Sequence, residues 1–337
     1  MILSIESSCD DSSIAITKIA TKEILYHKKI SQEEEHSVYG GVVPELASRL
    51  HAVALPKILA ETTPYFDQLK AVAVTNQPGL GVTLLEGIAM AKTLAMLQGI
   101  PLIAVHHLKA HIYSLFIEKE TIFPLLVLLI SGGHTQVIRV SSFEQMEILA
   151  TSMDDSVGES FDKCAKMMGL GYPGGPLIEA LAKEGNEDRF DLPVPLRNSP
   201  LIAFSLSGLK NAVRLKVEAL GGAEAMSHQD RADLSASFQK AITRHLIQKS
   251  KKIFASESIG DFAIVGGASA NGYIREAYAS LCEAFGKRMH LAPLHYCADN
   301  AAMVGRYALD AYAKEVFIAP NQLDSTTTKK QKAGMLL

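Results

Sequence analysis

Two histidines four residues apart, His107 and His111, follow the apolar segment PLIAV (101–105). On a helix, positions i and i+4 lie on one face, one turn apart, so two imidazoles placed this way can share a metal ion. A zinc peptidase of the HExxH kind needs a glutamate directly after the first histidine as its base, and that position holds Leu108. The pair therefore points to a metal site without peptidase machinery. The plainer alternative is a pair of helical histidines satisfied by hydrogen bonds. Asp299, in HYCADNAAM (295–303), precedes the helical segment AAMVGRYALDAYA. Two histidines and one carboxylate are a common ligand set for iron or zinc, leaving positions open for substrate. Asp299 could equally be a helix N-cap.

A second group of residues suits phosphates and sugars. SGGHT (131–135) places two glycines after an apolar run. Without Cβ atoms, backbone N–H groups can approach a phosphate, although such a motif is also a simple tight hairpin. IVGGASAN (264–271) repeats the device at the head of a helix, where the dipole favours an anion. DDSVGESFDKCAKMMGLGYPGGP (154–176) gathers Asp154, Asp155, Glu159 and Asp162 ahead of two glycines. Asp154 and Asp155 suit charge stabilisation of a helix start, worth ~0.3–1 kcal/mol. Asp162, with a PGGP turn close behind, is the better candidate for ribose hydroxyls, because a carboxylate accepts two hydrogen bonds from a diol.

These residues need a frame. A chain of 337 residues, 48% hydrophobic, can build two lobes with separate cores. The net charge of −3 gives no global positive field, so any RNA contact must come from a local patch or a partner. The four cysteines, Cys9, Cys164, Cys282 and Cys297, are scattered without a CxxC pair. That argues for a reducing compartment and against a disulfide framework or a cysteine zinc site. MILSIESSCDD at the N-terminus shows no signal peptide, and FPLLVLLI (123–130) is too short to span a bilayer. The expectation is a soluble, cytoplasmic protein with no membrane contact.

The pattern of elements repeats. MILSIE reads as a strand, SSCDDS (7–12) as a polar turn and SIAITKI (13–19) as a second strand. SQEEEH (31–36) reads as a charged loop, and a helix follows from about Glu45 to Glu61. AVAVT (71–75), NQPGLG (76–81) and the segment 82–98 read as strand, glycine turn and helix, with Gly99 as the stop. PLLVLLI (124–130), SGGH and TQVIRV (135–140) restart the strand–turn–strand unit about 125 residues on, and 261–279 repeats the strand, glycine turn and helix. Duplicated lobes of this kind resemble the actin/sugar-kinase/Hsp70 ATPase superfamily, a ribonuclease H-like α/β fold with an interlobe cleft. The expected division is lobe I over 1–105, completed by about 300–325, and lobe II over 106–299, with 321–337 as a mobile tail.

Taken together, IESSCDDSSIAI (5–16), YGGVVPELASR (39–49), QPGL (77–80), HHLKAHIYS (106–114), LISGGHTQ (129–136), GESFDKCAKMMGLGYPGGP (158–176), FSLSGLK (204–210), ASFQ (236–239), GGASAN (266–271) and CADNAAM (297–303) resemble the bacterial tRNA N6-adenosine threonylcarbamoyltransferases, long labelled O-sialoglycoprotein endopeptidases. Two departures stand out: Gln77 replaces the family's glycine before PGL, and GESFDK replaces GEAFDK. The resemblance implies one divalent metal per subunit, Fe2+ with Zn2+ as the alternative, on His107, His111 and Asp299. It implies binding of an adenylate or ATP-type nucleotide by the backbone around Leu129, Ile130, Ser131, Gly132 and Gly133, and by Asp162, Gly175, Glu179 and Asn271. It also implies transfer of a threonylcarbamoyl group from L-threonylcarbamoyl-adenylate to N6 of the tRNA adenosine beside the anticodon (position 37) in ANN-reading tRNAs, releasing AMP. A smaller paralogous subunit (TsaB) and an ATPase helper (TsaE) are the expected partners. Asp10 or Asp11 is the candidate general base for the attacking amine. The competing readings are a small-molecule kinase of the same fold, which has no use for a His–His–Asp set, a metallopeptidase, which lacks its base, and an Hsp70-like ATPase, which lacks its second domain.

Overall fold

The computed structural model describes residues 1–326 and 332–335. They fall into two compact units, the first of Met1–Ile122 with the returning residues 292–326, the second of Phe123–Leu291 with 332–335.

The first unit is built on β1 (Ile2–Glu6), β2 (Asp11–Thr17), β3 (Ile24–Ser31), β4 (Ala71–Gln77) and β5 (Leu102–His106), in the order β3-β2-β1-β4-β5. β2 runs antiparallel to both its neighbours, and β1, β4 and β5 run parallel. Between the strands lie α1 (Glu33–Ser37), α2 (Pro44–Glu61), α3 (Gly81–Gln98) and α4 (His107–Tyr113). Pro44 opens α2, where its missing N–H has no intrahelical partner to lose. Gly99 ends α3 at φ +62°, a left-handed cap that glycine adopts without strain. Every residue of β1 is buried, as expected of a strand covered on both faces. Its alternate residues Leu3 and Ile5 join Ile14, Ile16, Val72 and Val74 in a core closed by Leu55 and Ile58 of α2 and Leu84 and Ile88 of α3. Each such side chain contributes ~1.5–3 kcal/mol on burial.

The second unit repeats the plan. β6 (Leu125–Ile130), β7 (Thr135–Val140), β8 (Met146–Thr151), β9 (Asp261–Val265) and β10 (Arg288–Leu291) are ordered β10-β9-β6-β7-β8. Antiparallel and parallel pairings match the first sheet strand for strand. The helices are α5 (Val157–Met167), α6 (Gly174–Ala182), α7 (Ser207–Ala219), α8 (His228–Ser256) and α9 (Gly272–Ala284). Ser227 and Asp230 form a capping box that opens the long α8. Leu126, Leu128, Ile130, Phe161, Phe238 and Ile264 share the core of this unit.

The chain then returns to the first unit as α10 (Ala301–Ala313). This helix lies close on the sheet because the facing residues are small. Ser4 Oγ donates to the Ala301 carbonyl at 2.8 Å, and the Ala301 N–H donates to Ser13 Oγ at 3.0 Å. A Cβ at Gly305 would stand 2.4 Å from Thr17 Oγ1, so the approach requires glycine. On its other side α10 is tied to the end of α4 and to the chain that follows it. Arg306 Nε donates to the Phe116 carbonyl at 2.7 Å, and Tyr113 OH donates to Asp310 at 3.1 Å.

Several boundaries differ from expectation. The segment from His107 to Ile122 and residues 292–299 belong to the first unit, whereas the repeat pattern assigned 106–299 to the second. The cause is the α4–α10 packing just described, which joins segments far apart in the sequence. Part of the charged loop expected at 31–36 is helical, as α1. β3, β8 and β10 were not expected. β3 carries Lys28, Lys29 and His27 on a half-exposed strand, and β10 has four residues, so neither shows clear alternation. Of the expected tail, Leu323 is buried in the first core and the Gly334 N–H donates to the Ile148 carbonyl at 2.6 Å. Residues 327–331 and 336–337 lie outside the described residues. Among the described residues no helix is long and apolar enough to cross a membrane.

Candidate functional site

β5 delivers the chain to His107 at the carboxyl end of a parallel strand, where open α/β sheets place their sites. His107 and His111 then share a face of α4. Asn300, not Asp299, caps α10, with its side chain accepting from the Met303 N–H at 2.9 Å. Asp299 is free of that duty and turns to the histidines. Its Oδ1 lies 3.0 Å from His111 Nε2 and 3.4 Å from His107 Nε2. One ligand atom from each of the three residues lies within 4.8 Å of the others. His111 is fully buried, and its Nε2, 3.0 Å from Asp299 Oδ1, has no hydrogen-bond partner. A buried ring nitrogen left unsatisfied beside a carboxylate and a second imidazole suits a divalent cation, so the donor set fits a metal.

Charge at the site follows from these contacts. Burial opposes ionisation of Asp299, but His107 and His111 outweigh it and hold the carboxyl well below its usual range. Burial likewise opposes a charged His107, yet Asp299 and Glu6 lift its pKa well above the ordinary histidine value. Glu6 ends β1 fully buried, and its Oε2 stands 3.3 Å from His107 Nδ1. Ser8 Oγ lies 3.1 Å from the same nitrogen. The motifs of the sequence did not single out Glu6. The available signal was an acidic residue closing an otherwise apolar strand.

Asp11 is the first residue of β2 rather than part of the preceding turn. Its Oδ2 accepts from Lys29 at 2.9 Å, and burial, working against Lys29, lifts its carboxyl to about 6. Asp10 uses its carbonyl to accept from the Gln32 N–H at 3.1 Å. Between these and the strand, the Cys9 thiol is pushed well above its ordinary value by burial and by Asp10 and Asp299, so it is no thiolate nucleophile.

The second unit holds a cavity of about 230 Å³ whose lining includes Gly132, Asp162, Gly175, Glu179 and Asn271. These are five of the nine expected nucleotide-contacting residues. Leu129 and Ile130 point their side chains into the core, and with Ser131 and Gly133 they stand outside the lining. The loop itself is firmly built. The Ser131 N–H donates to the His134 carbonyl at 2.9 Å, and Ser156 Oγ donates to the Gly132 carbonyl at 2.5 Å. Gly158 comes so close that a Cβ there would lie 2.7 Å from the Ser131 carbonyl oxygen. Ser156 and Gly158 were not foreseen as supports, because only the fold brings 156–158 under 131–132. At Gly132, Gly133 and Gly175 an added Cβ would meet nothing within 4 Å, so each has room on its Cβ side.

The polar groups of the cavity are oriented by helix starts. Asp162 Oδ1 accepts from the Gly174 N–H at 2.8 Å, and Glu179 Oε1 accepts from the Gly272 N–H at 2.8 Å. Asn271 caps α9 by accepting from the Ile274 N–H at 2.9 Å and donates to Gln239 Oε1 at 2.8 Å. Asp154 and Asp155 serve structure. The first accepts from the Leu206 N–H at 2.7 Å near the start of α7, and the second pairs with Lys163 at 2.9 Å.

Two sheets of one topology, each flanked by helices, define the duplicated actin/sugar-kinase/Hsp70 ATPase-like class. Solved structures agree on the fold. Full-length HypF in its phosphate- and nucleotide-bound form superposes with a TM-score of 0.62 at 14% identity, over 93% of this chain and 46% of that one. Component A of the Acidaminococcus fermentans (R)-2-hydroxyglutaryl-CoA dehydratase superposes with a TM-score of 0.55 at 14% identity, over 93% of this chain and 98% of that one. Sequence likeness is far more specific. Residues 23–306 match the family model of tRNA N6-adenosine threonylcarbamoyltransferase. A protein of that name from Sulfurovum sp. (strain NBC37-1) is 81% identical over the full length of both chains. Another from Wolinella succinogenes is 60% identical over 96% of this chain and 97% of its own. The chain belongs to the tRNA N6-adenosine threonylcarbamoyltransferase family, whose substrate is tRNA, and it is a transferase.

Proposed function

We propose that the donor is L-threonylcarbamoyl-adenylate and the acceptor the N6 amine of the adenosine beside the anticodon (position 37) in ANN-reading tRNAs. The observation that carries this reading is the His107–His111–Asp299 cluster, with its unsatisfied buried nitrogen, in a chain of this family. We propose Fe2+ as the ion held there, with Zn2+ the alternative. When bound, such an ion supplies Lewis acidity toward the carbamoyl oxygen and a grip on the threonyl group.

The residues of the chain do the rest. The N6 lone pair is delocalised into the purine, so the amine is a weak nucleophile and the leaving group must be well stabilised. Attack forms a bond from N6 to the carbamoyl carbon and breaks the bond from that carbon to the phosphate oxygen. AMP leaves with the electron pair. Room beside Gly132 and Gly175 in the cavity lining suits the adenylate, whose nucleoside end suits the carboxylates of Asp162 and Glu179. The proton from N6 goes to a carboxylate, with Asp11, which burial lifts to about 6, or Asp10 as the proposed acceptor. A smaller paralogous subunit and an ATPase helper are the proposed partners, since the chain's charge of −3 offers no general hold on RNA.

The test is transfer with purified proteins: donor, an ANN-reading tRNA transcript, the chain and its partners, followed by nucleoside mass spectrometry. Wild type yields N6-threonylcarbamoyladenosine, and Asp299→Ala yields almost none. Undiminished product in the variant overturns the proposed site.

A further inference from the structure

Glu6 has the features of a residue with a specific task. A carboxylate fully buried at the end of a central strand carries a heavy desolvation cost unless its oxygens are satisfied. Here the satisfaction is complete and directional. Oε1 accepts from the Ser8 N–H at 2.7 Å. Oε2 accepts from Thr75 Oγ1 at 2.6 Å and faces His107 Nδ1 at 3.3 Å. Thr75 lies on β4 and His107 follows β5, so Glu6 draws together the carboxyl ends of the three parallel strands.

An ionised carboxylate only accepts hydrogen bonds, so Glu6 favours a proton on the ring nitrogen it faces, and Ser8 Oγ, 3.1 Å from the same nitrogen, can accept from that proton too. With one proton fixed on Nδ1, Nε2 is the nitrogen left to give up its proton and offer a lone pair when a cation binds, and Nε2 is the nitrogen that points at Asp299. The opposite tautomer would set an N–H where a metal ligand is needed and a lone pair against the carboxylate. We propose that Glu6 is a positioning residue that fixes His107 in its Nδ1–H form and so keeps Nε2 ready to bind a divalent cation. A carboxylate behind a metal-ligating histidine commonly serves this way, and its loss costs about 10–100-fold in metal affinity. Thr75 and the Ser8 amide hold the carboxylate in place for it.

This inference rests on the metal reading of the site, and the test separates the two. Zn2+ alone is titrated into the metal-free protein by competition with a chelator. Ring protons are read in the Zn2+-loaded, 15N-histidine-labelled protein. Wild type should show a slowly exchanging proton on His107 Nδ1, identified by its absence from His107→Asn. Glu6→Gln should weaken Zn2+ binding about 10–100-fold and shift or remove that proton, with far-UV circular dichroism unchanged. Thr75→Val, which leaves the carboxylate present but loosens it, should weaken binding by less. A wild-type ring without a proton on Nδ1 overturns the proposal even if Glu6→Gln fails to fold. Wild-type Zn2+ affinity in a folded Glu6→Gln also overturns it and leaves the metal site standing. A wild type that binds no Zn2+ overturns the metal reading itself.

Discussion

His111 Nε2 and Asp299 Oδ1 stand 3.0 Å apart without a hydrogen bond between them, one on a short helix after β5 and the other just ahead of α10. The contact is made by tertiary structure alone, since α10 reaches the site by docking on β1 and β2 through Ser4, Ser13 and Gly305 and on α4 through Tyr113 and Asp310. Replacing His111 with alanine should therefore abolish stable metal binding and lower transfer by about 100-fold or more, with the fold kept. Metal analysis of protein purified without a histidine tag is the check. Equal metal content in wild type and variant would rule His111 out as a ligand.

The glycine loop is tested by adding bulk. Gly132 has a backbone conformation open to any residue, and a Cβ there meets no protein atom, so Gly132→Val should fold normally. Its methyl groups would enter the cavity, and adenylate affinity should fall more than ~10-fold with metal content unchanged. Calorimetric titration with a non-hydrolysable adenylate analogue reads this directly. Full affinity in the variant would make the loop a plain hairpin turn. Asn271→Ala is a less clean probe, because Asn271 also caps α9 and its loss costs ~0.5–2 kcal/mol of stability.

Both the repeat and the chemistry were visible in the sequence, but unevenly. His107, His111 and Asp299 were legible because ligand type and helical spacing are local properties. That Asn300 rather than Asp299 caps α10 was not, since the two are equally good caps by composition and only the structure shows Asn300 in use. Glu6 and Gly158 went unnoticed because their partners, His107 and Ser131, are distant in sequence. The unit boundaries shifted for the same reason: α4 follows a strand of the first sheet but is held by a helix near the other end of the chain.

Leu108, where a zinc peptidase has its base, is completely buried in the core. No carboxylate stands at that position to activate water. Homogeneous protein should cleave no peptide or glycoprotein substrate above the level of a His107→Ala control. Proteolysis that disappears in that control would contradict this account.

Acid stability offers a test in the second unit. His245 Nε2 accepts from the Ser205 N–H at 3.2 Å, and burial, with Lys249 nearby, lowers its pKa from 6.5 to about 4. Between those values the unfolded chain binds a proton that the folded chain does not, so this histidine's contribution to stability falls as pH drops from about 6.5 toward 4. The substitution His245→Gln would offer an amide oxygen to the same N–H and leave nothing to titrate there. Denaturant unfolding of both proteins across this range should show the wild type losing more stability than the variant on acidification. Parallel curves would mean that His245 does not carry the effect.

The central claim is transfer from the adenylate to the N6 amine of one adenosine. It is tested by carbon-labelled L-threonylcarbamoyl-adenylate with two ANN-reading tRNA transcripts, one with adenosine and one with guanosine beside the anticodon. The account predicts label on the adenosine transcript, one AMP released per label transferred, and none on the guanosine transcript. Equal labelling of both transcripts would contradict it.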